Sequence, residues 1–398
     1  MRHPDILAPA REGTCFAVLG AGHGGQAMAA HLALQGFPTV LWNRSRAKIE
    51  DIQRRGGIAV EGEVNGFASP ELVTADLAAA LRRARVIMVV VPASAHRQLA
   101  RQAAPLLQDG QVVVLNPGRT GGALEFHRTL REQGCRADVT VAEAQTFIYA
   151  SRYQGPGSSR IFRIKRTVPV AALPASRTMM VLRLVRQAFP QFVPAESVLK
   201  TSFDNIGAIF HPGLTILNAG RIEATGGDFE YYRSGVTPSV ARVMQAMDEE
   251  RVQVAFGFGV VAMSALEWME AAYGVRAGNL LEAMQLNSAY EGIMAPASLE
   301  TRYLFEDVPA SLVPIASLGD LVGVPTPVTR SIIHLACTIH DVNYWATGRT
   351  VEALGLAGHA VEDVIRLAYE GESADCRLAI GQSQRSVTRG ERVEAAIN

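Results

Sequence analysis

Four short stretches of this sequence carry residue types that could do chemistry. The first is Gly20-Ala-Gly22-His-Gly-Gly25, a G-x-G-x-x-G turn between the apolar run 15–19 and the helical run 26–34. Gly20 permits a tight turn, Gly22 admits close approach to a pyrophosphate, and Gly25 lets helix and strand pack closely. Free N–H groups and the helix dipole then hold the phosphates. The second is Asn43-Arg44-Ser45-Arg46, which follows the strand-like run 39–42. Where an NAD site places an acid for the ribose 2′-hydroxyl, this turn has two arginines and a serine, which suit a 2′-phosphate. The expected cofactor is therefore NADP(H) in preference to NAD(H); a solvated basic loop is the plainer alternative. The third is His211, in an apolar stretch and followed by Pro212, which should disturb a helix locally. It is either a proton-transfer candidate or a satisfied core histidine. The fourth is Arg302 with Asp307, close together before a proline-rich segment, where a surface ion pair is the plainer alternative.

The elements that must position these residues change character along the chain. Runs 15–19, 39–42, 85–91, 111–115 and 139–142 read as strands alternating with helices, with a further short strand at 160–164. The run 85–91 is continuously apolar and β-branched, as in a parallel strand buried on both faces. Ligands of open α/β sheets lie at the strand carboxyl ends, so Val91, Pro92 and Asn116 should line the nicotinamide end of the site. From about residue 195 the periods become helical, at 240–247, 251–273, 280–286 and 329–343. The expected fold is an α/β Rossmann-type N-terminal domain, 1–195, followed by an all-α C-terminal domain, 196–398, with substrate in the cleft between them. Within the second, the polar stretch 372–398 reads as a surface helix or a mobile tail.

Composition narrows the function. The 398 residues carry 38 Lys+Arg and 38 Asp+Glu, so the basic surplus of a nucleic-acid binder is absent. Only Lys48, Lys165 and Lys200 are lysines, so few compete for a catalytic role. Cys15, Cys135, Cys337 and Cys376 stand alone, and His334 and His340 lack ligand spacing, so neither a disulfide framework nor a metal site is expected. The longest apolar run, 252–266, is too short to span a bilayer comfortably and reads as a buried helix. Ser264, Glu267 and Glu270 fall at helical spacing and read as one solvated or cleft-edge face. Residues 1–13 lack a signal-peptide apolar region. A cytoplasmic protein with small-molecule partners, monomeric or homodimeric, is expected.

Several stretches resemble the opine dehydrogenase family, the octopine and nopaline dehydrogenases. They are 205–223, containing Asn205-Ile-Gly-Ala-Ile-Phe-His211-Pro-Gly; Arg302-Tyr-Leu-Phe-Glu306-Asp307-Val-Pro309; Leu312-Val-Pro-Ile-Ala-Ser-Leu-Gly319; and Val324-Pro-Thr-Pro-Val328. Leu115-Asn-Pro-Gly-Arg119 and Thr146-Phe-Ile-Tyr-Ala-Ser-Arg152 add to it, so the resemblance runs from about residue 14 to 360. It implies reductive condensation of an amino acid's amine with a 2-oxo acid, such as pyruvate or 2-oxoglutarate, through an imine and at the expense of NAD(P)H. It further implies His211 as general acid/base, Asp307 as its hydrogen-bond acceptor, and Arg302 as a carboxylate clamp, with substrate contacts from Asn205 and Thr146. The sequence departs from the family pattern at Phe147-Ile148, where the family often has Leu-Pro, and at Ala310-Ser311, where it often has Tyr-Gly. Both departures bear on the substrate pair.

Two other readings share the fold. A ketopantoate or 2-hydroxyacid type of NADP-dependent ketone reductase would use Lys200 as its acid. A non-catalytic NADP-sensing protein would use neither lysine nor histidine.

Overall fold

The computed structural model of the chain describes residues 13–155 and 157–371. The stretch 372–398, expected as a surface helix or tail, lies outside the described residues. Twelve strands precede residue 195: β1 Phe16–Leu19, β2 Thr39–Trp42, β3 Ile58–Gly62, β4 Gly66–Ala68, β5 Leu72–Thr74, β6 Val86–Val89, β7 Val112–Leu115, β8 Thr140–Ala144, β9 Tyr149–Gly155, β10 Ser158–Ile164, β11 Val168–Leu173 and β12 Phe192–Pro194. Eight form one sheet in the order β12-β11-β8-β7-β6-β1-β2-β5. It is parallel from β5 to β8, with β11 antiparallel to β8.

Strands β1, β6 and β7 are buried at every position. The reason is visible in the two-residue alternation of a strand. Ala17, Leu19, Ile87, Val89, Val113 and Leu115 join the core on one face of the sheet. Phe16, Val18, Val86, Met88, Val112 and Val114 join the core on the other. A sheet covered by helices on both faces needs apolar residues at every position, which is what the sequence supplies.

The chain leaves β1 toward β2 and β5, then returns to β6 on β1's other side. The strand order therefore reverses between β1 and β6, and a ligand crevice opens at the carboxyl ends there. Strand β6 ends at Val89, two residues earlier than expected, so Val91 and Pro92 belong to the loop facing that crevice. The run expected at 160–164 is strand β10, but it pairs with β9 and β3 in a separate four-stranded sheet, β4-β3-β10-β9.

Past Pro194 the regular structure among the described residues is helical apart from one isolated bridge, Glu230 to Met294. Helices Gly207–Leu217, Pro238–Gly257, Val313–Val322 and Pro327–His340 contribute Ile209, Phe210, Met244, Met247, Ile315, Ile332 and Ile333 to a third core. Pro212 sits inside the first of these helices.

The continuous helix expected at 251–273 does not form, nor does the apolar run 252–266 make one buried helix. Helix Pro238–Gly257 stops, Gly259 takes φ +70°, and Val261 is 79% exposed before a second helix, Ala265–Tyr273, begins. The cause is a buried ion pair that needs partners. Arg251 is fully buried and bonds Asp248 while donating to the Met263 carbonyl at 2.6 Å. Asp248 in turn accepts from the Ala265 amide at 2.6 Å. Both satisfactions require the chain to fold back. Ser264 and Glu267, expected on a solvated face, form the capping box that starts the second helix. Among the described residues, no helix is long and apolar enough to cross a membrane.

Candidate active site

The glycine turn closes β1 onto the helix His23–Leu34. A Cβ at Gly25 would lie 1.7 Å from the Gly20 carbonyl oxygen, so only glycine lets this helix sit against the turn. A Cβ at Gly20, where φ is +117°, would meet the Val90 carbonyl at 2.8 Å. Gly22 faces open space, and no side chain caps the helix that follows it. Unpartnered amides at a helix start beside an open glycine fit a dinucleotide pyrophosphate. Asn43 holds the turn from β2, its Oδ1 accepting the Ala21 amide at 3.0 Å. Arg44, Ser45 and Arg46 are exposed, and Arg44 donates to Gln98. At the carboxyl end of β7, Asn116 is buried and donates to the Val114 carbonyl, while its Oδ1 has no partner among the described residues.

Across the cleft, the helix Gly207–Leu217 carries His211. Its Nδ1 lies 2.8 Å from Asp307 Oδ2, with Asp307 1% exposed and the imidazole 22%. Asp307 just precedes a π-helical turn, Val308–Leu312. Tyr303 stacks on the imidazole at 4.4 Å and 17°. Nε2 makes no hydrogen bond among the described residues. The pair is thus oriented on one side by a carboxylate and on one face by a ring, with the second nitrogen available for proton transfer.

Arg302 and Asp307, expected as a pair, are not partners. Arg302 bonds Glu306, four residues on, through Nε at 2.8 Å and Nη2 at 2.5 Å. One helical turn brings i and i+4 together and rotates i+5 away, which frees Asp307 for His211. Glu306 also accepts the Ala93 amide at 3.1 Å, tying the helical side to the loop after Val91 and Pro92. Burial alone would raise the Glu306 carboxyl, yet Arg119 and then Arg302 outweigh it and hold it down to about 2. Asn205, expected at the substrate, is 3% exposed and turned to Ser311 Oγ at 2.9 Å and Thr120 Oγ1 at 3.4 Å. Ser311, one of the family departures, bonds Asp307 Oδ1 as well. Thr146 accepts a 2.6 Å hydrogen bond from Lys165 and bonds neither His211 nor Asp307.

Three residues without an expected role shape the site. Arg119 takes φ +62° and reaches Asp307 Oδ1 at 3.0 Å and Glu306 Oε1 at 3.4 Å. Burial works against its charge, but Asp307 and Glu306 together raise its pKa. A Cβ on Gly207 would fall 2.8 Å from Arg119 and 3.3 Å from His211, so that glycine makes room for the guanidinium beside the imidazole. Arg349, 2% exposed, donates to the Gly118 and Thr120 carbonyls at 2.9 and 3.1 Å, and to Glu125 at 2.8 Å. It fixes the loop that carries Arg119. Lys165 follows β10 on the Rossmann side, which also carries the exposed Lys48. Lys200, the acid of the ketone-reductase reading, is paired with Asp204 and bonds neither member of the dyad. The only sequence signal for Lys165 was the scarcity of lysine, and for Arg119 its place in Leu115–Arg119; nothing pointed to Arg349.

A crevice at the carboxyl ends of the sheet beside a glycine turn, facing a carboxylate-paired histidine on the helices, fits an NAD(P)-dependent oxidoreductase. Comparison with known proteins narrows this. Residues 194–340 match the model for the NAD/NADP octopine/nopaline dehydrogenase, alpha-helical domain, and residues 16–122 that for the NAD-dependent glycerol-3-phosphate dehydrogenase N-terminus. An opine dehydrogenase of Arthrobacter sp. (strain 1C) is 42% identical over 348 residues, 87% of this chain and 96% of that protein. The fold matches octopine dehydrogenase in complex with NADH and agmatine, with a TM-score of 0.76 and 18% identity over 91% of this chain and all of that one. It also matches NADP+-bound yersinopine dehydrogenase, with a TM-score of 0.69 and 16% identity over 94% and 99%. The chain belongs to the opine dehydrogenase family, and its reaction is an oxidoreduction at a CH–NH group.

Proposed function

We propose that the protein joins the amine of an amino acid to a 2-oxo acid, pyruvate or 2-oxoglutarate, and reduces the resulting imine, with NADP(H) preferred to NAD(H). The observation that carries this reading is the His211–Asp307 pair at 2.8 Å, with Nε2 left unbonded. The dinucleotide supplies the hydride when bound. The chain's residues manage protons and carboxylates. His211 Nε2 takes a proton from the attacking ammonium and returns one to the carbonyl oxygen as it leaves as water. Asp307 fixes the tautomer with hydrogen on Nδ1 and stabilises the imidazolium. Arg302 sits at the exposed rim, where its guanidinium suits a substrate carboxylate. Asn205 acts from behind, holding Ser311 and Thr120. The cofactor is held by Gly20, Gly22 and Gly25 at the pyrophosphate and by Asn43, Arg44, Ser45 and Arg46 at the ribose. Val91, Pro92 and Asn116 line the nicotinamide end. The NADP(H) preference rests on the absence of an acid after β2 and on two exposed arginines there. Residues 1–195 form the cofactor domain and 196–398 the substrate domain of a cytoplasmic enzyme.

The test is oxidation of NADPH, with NADH beside it, over a grid of amino acids against pyruvate, 2-oxoglutarate, oxaloacetate and glyoxylate, with product mass read afterwards. Turnover that needs both amine and oxo acid, and a product of the condensed mass, is the expected result. Turnover with an oxo acid alone would return the simple ketone-reductase reading.

A further inference from the structure

Lys165 lies where the Rossmann side meets the cleft, directly after β10. Its backbone amide is pinned to the Ile148 carbonyl at 2.9 Å. Its ammonium reaches Thr146 Oγ1 at 2.6 Å, just past the carboxyl end of β8. The neighbouring strand, β7, ends in the loop that carries Arg119. The residue after Thr146, Phe147, packs into the glycine turn, where a Cβ on Gly24 would meet its ring at 2.6 Å. The ammonium is therefore at the strand carboxyl ends, between the cofactor turn and the arginine that touches Asp307.

Charge is what makes this position unusual. Among the described residues, no carboxylate pairs with Lys165. The charged group that acts on it is Arg119, of the same sign, and burial and Arg119 together push the ammonium down to about 8. Arg119 is balanced by Asp307 and Glu306 and Lys200 by Asp204, while Arg302 shares Glu306 with Arg119 and keeps a guanidinium 68% exposed at the rim, open to a carboxylate. Thr146 offers one neutral oxygen to an ammonium with three donors. A half-buried cation without a counter-ion is partly desolvated at a cost, and an arriving anion relieves that cost.

We infer that Lys165, held by Thr146 and adjoining Arg119, is the seat for the carboxylate of the 2-oxo acid, on the opposite side of the cleft from Arg302. This rests on the condensation reading above. It divides the two substrate carboxylates between two cations: Arg302 on the helical side for the amino acid, Lys165 on the sheet side for the oxo acid.

The experiment uses the full chain with saturating NADPH. Lys165→Gln keeps a donor for Thr146 and removes the charge; Lys165→Arg restores the charge; Lys165→Met replaces the Gln variant if that one does not fold. A charged hydrogen bond of this kind predicts a roughly 10- to 100-fold rise in KM for the 2-oxo acid in Lys165→Gln. KM for the amine should stay within about twofold, and Lys165→Arg should recover most of the loss. Oxamate, an unreactive 2-oxo acid mimic, should lose affinity by the same factor in calorimetry. An unchanged KM for the oxo acid, equal rises in both KM values, or a fall in kcat alone would overturn the assignment. Absence of amine-dependent turnover in the wild type would instead sink the condensation reading. The oxamate titration would then decide the carboxylate seat without it.

Discussion

Two clusters of buried charge in this protein use the same three chemical types and do different work. Under the loops, Arg349 meets Glu125 and the imidazole of His96, with exposures of 2%, 4% and 0%. In the cleft, Arg119 meets Asp307, which meets His211. In the first, the imidazole accepts from the guanidinium and is held neutral: burial and then Arg349 push it down to about 3. In the second, a carboxylate stands between guanidinium and imidazole, and the imidazole is partly exposed with a nitrogen to spare. The order of the three groups, and whether the last one is sealed, separates a latch from a site that can move a proton.

The largest expected effect lies in the open cluster. His211→Ala and Asp307→Ala should each lower kcat by about 10²- to 10⁴-fold, the range for a positioned acid/base, while NADPH binding barely changes. Melting temperature should hold in His211→Ala and fall in Asp307→Ala, which takes a buried partner from Arg119. Turnover near the wild-type rate in either variant would remove the dyad. In the sealed cluster, Arg349→Met should act the other way round. It leaves two buried carbonyls without their donor and Glu125 with Arg97 alone, so a stability loss of about 1–3 kcal/mol in urea unfolding is expected. A variant of wild-type stability would show that the latch holds nothing.

A smaller effect comes from pH. An ordinary imidazole titrates near 6.5, so the unfolded chain takes up a proton below that pH, while folded His96 refuses it until about 3. Stability therefore falls as pH drops through this window, and by pH 5 His96 accounts for about 2 kcal/mol of loss. His31, pushed down to about 4 by burial, adds a similar loss. Glu306 does not contribute above pH 5, because its carboxylate begins to lose stabilisation only as pH falls below its ordinary 4.5 toward 2. Urea unfolding at pH 7 and 5 should thus show a drop that is about 2 kcal/mol smaller in His96→Gln; an equal drop would mean that His96 is not buried neutral. The mildest effect is at the exposed edge. Arg44→Ala with Arg46→Ala should weaken NADPH by about tenfold relative to NADH, one to two solvent-screened phosphate contacts. Equal weakening of both nucleotides would leave the 2′-phosphate unsupported.

Much of this was legible because it is local. A strand, a glycine turn and a helix are contiguous in 15–34, so the pattern and its setting could be read together. The same holds for the continuously apolar strands, whose period reports burial on both faces. The break at 258–264 was not read from the sequence although Gly257, Gly259 and Ser264 stand in the run, because the chain is held turned back by partners outside it, Arg251 and Asp204 on Met263 and Asp248 on the Ala265 amide. Arg302 could be placed near Asp307 along the chain, but which carboxylate it takes depends on helical phase.

The alternation of elements, the glycine turn and the lack of an acid after β2 were set by the sequence, since each depends on neighbours along the chain or on residue type; His211 and Asp307 were singled out as a pair through the family resemblance. The tertiary structure decided the rest. It bonded His211 to a residue 96 positions away, brought Arg349 across more than 200 residues to hold the Arg119 loop, and left Lys165 without a counter-ion beside Arg119. These are facts about charge in a shared low-dielectric interior, and which charges share it is fixed only when the sheet and the helices pack.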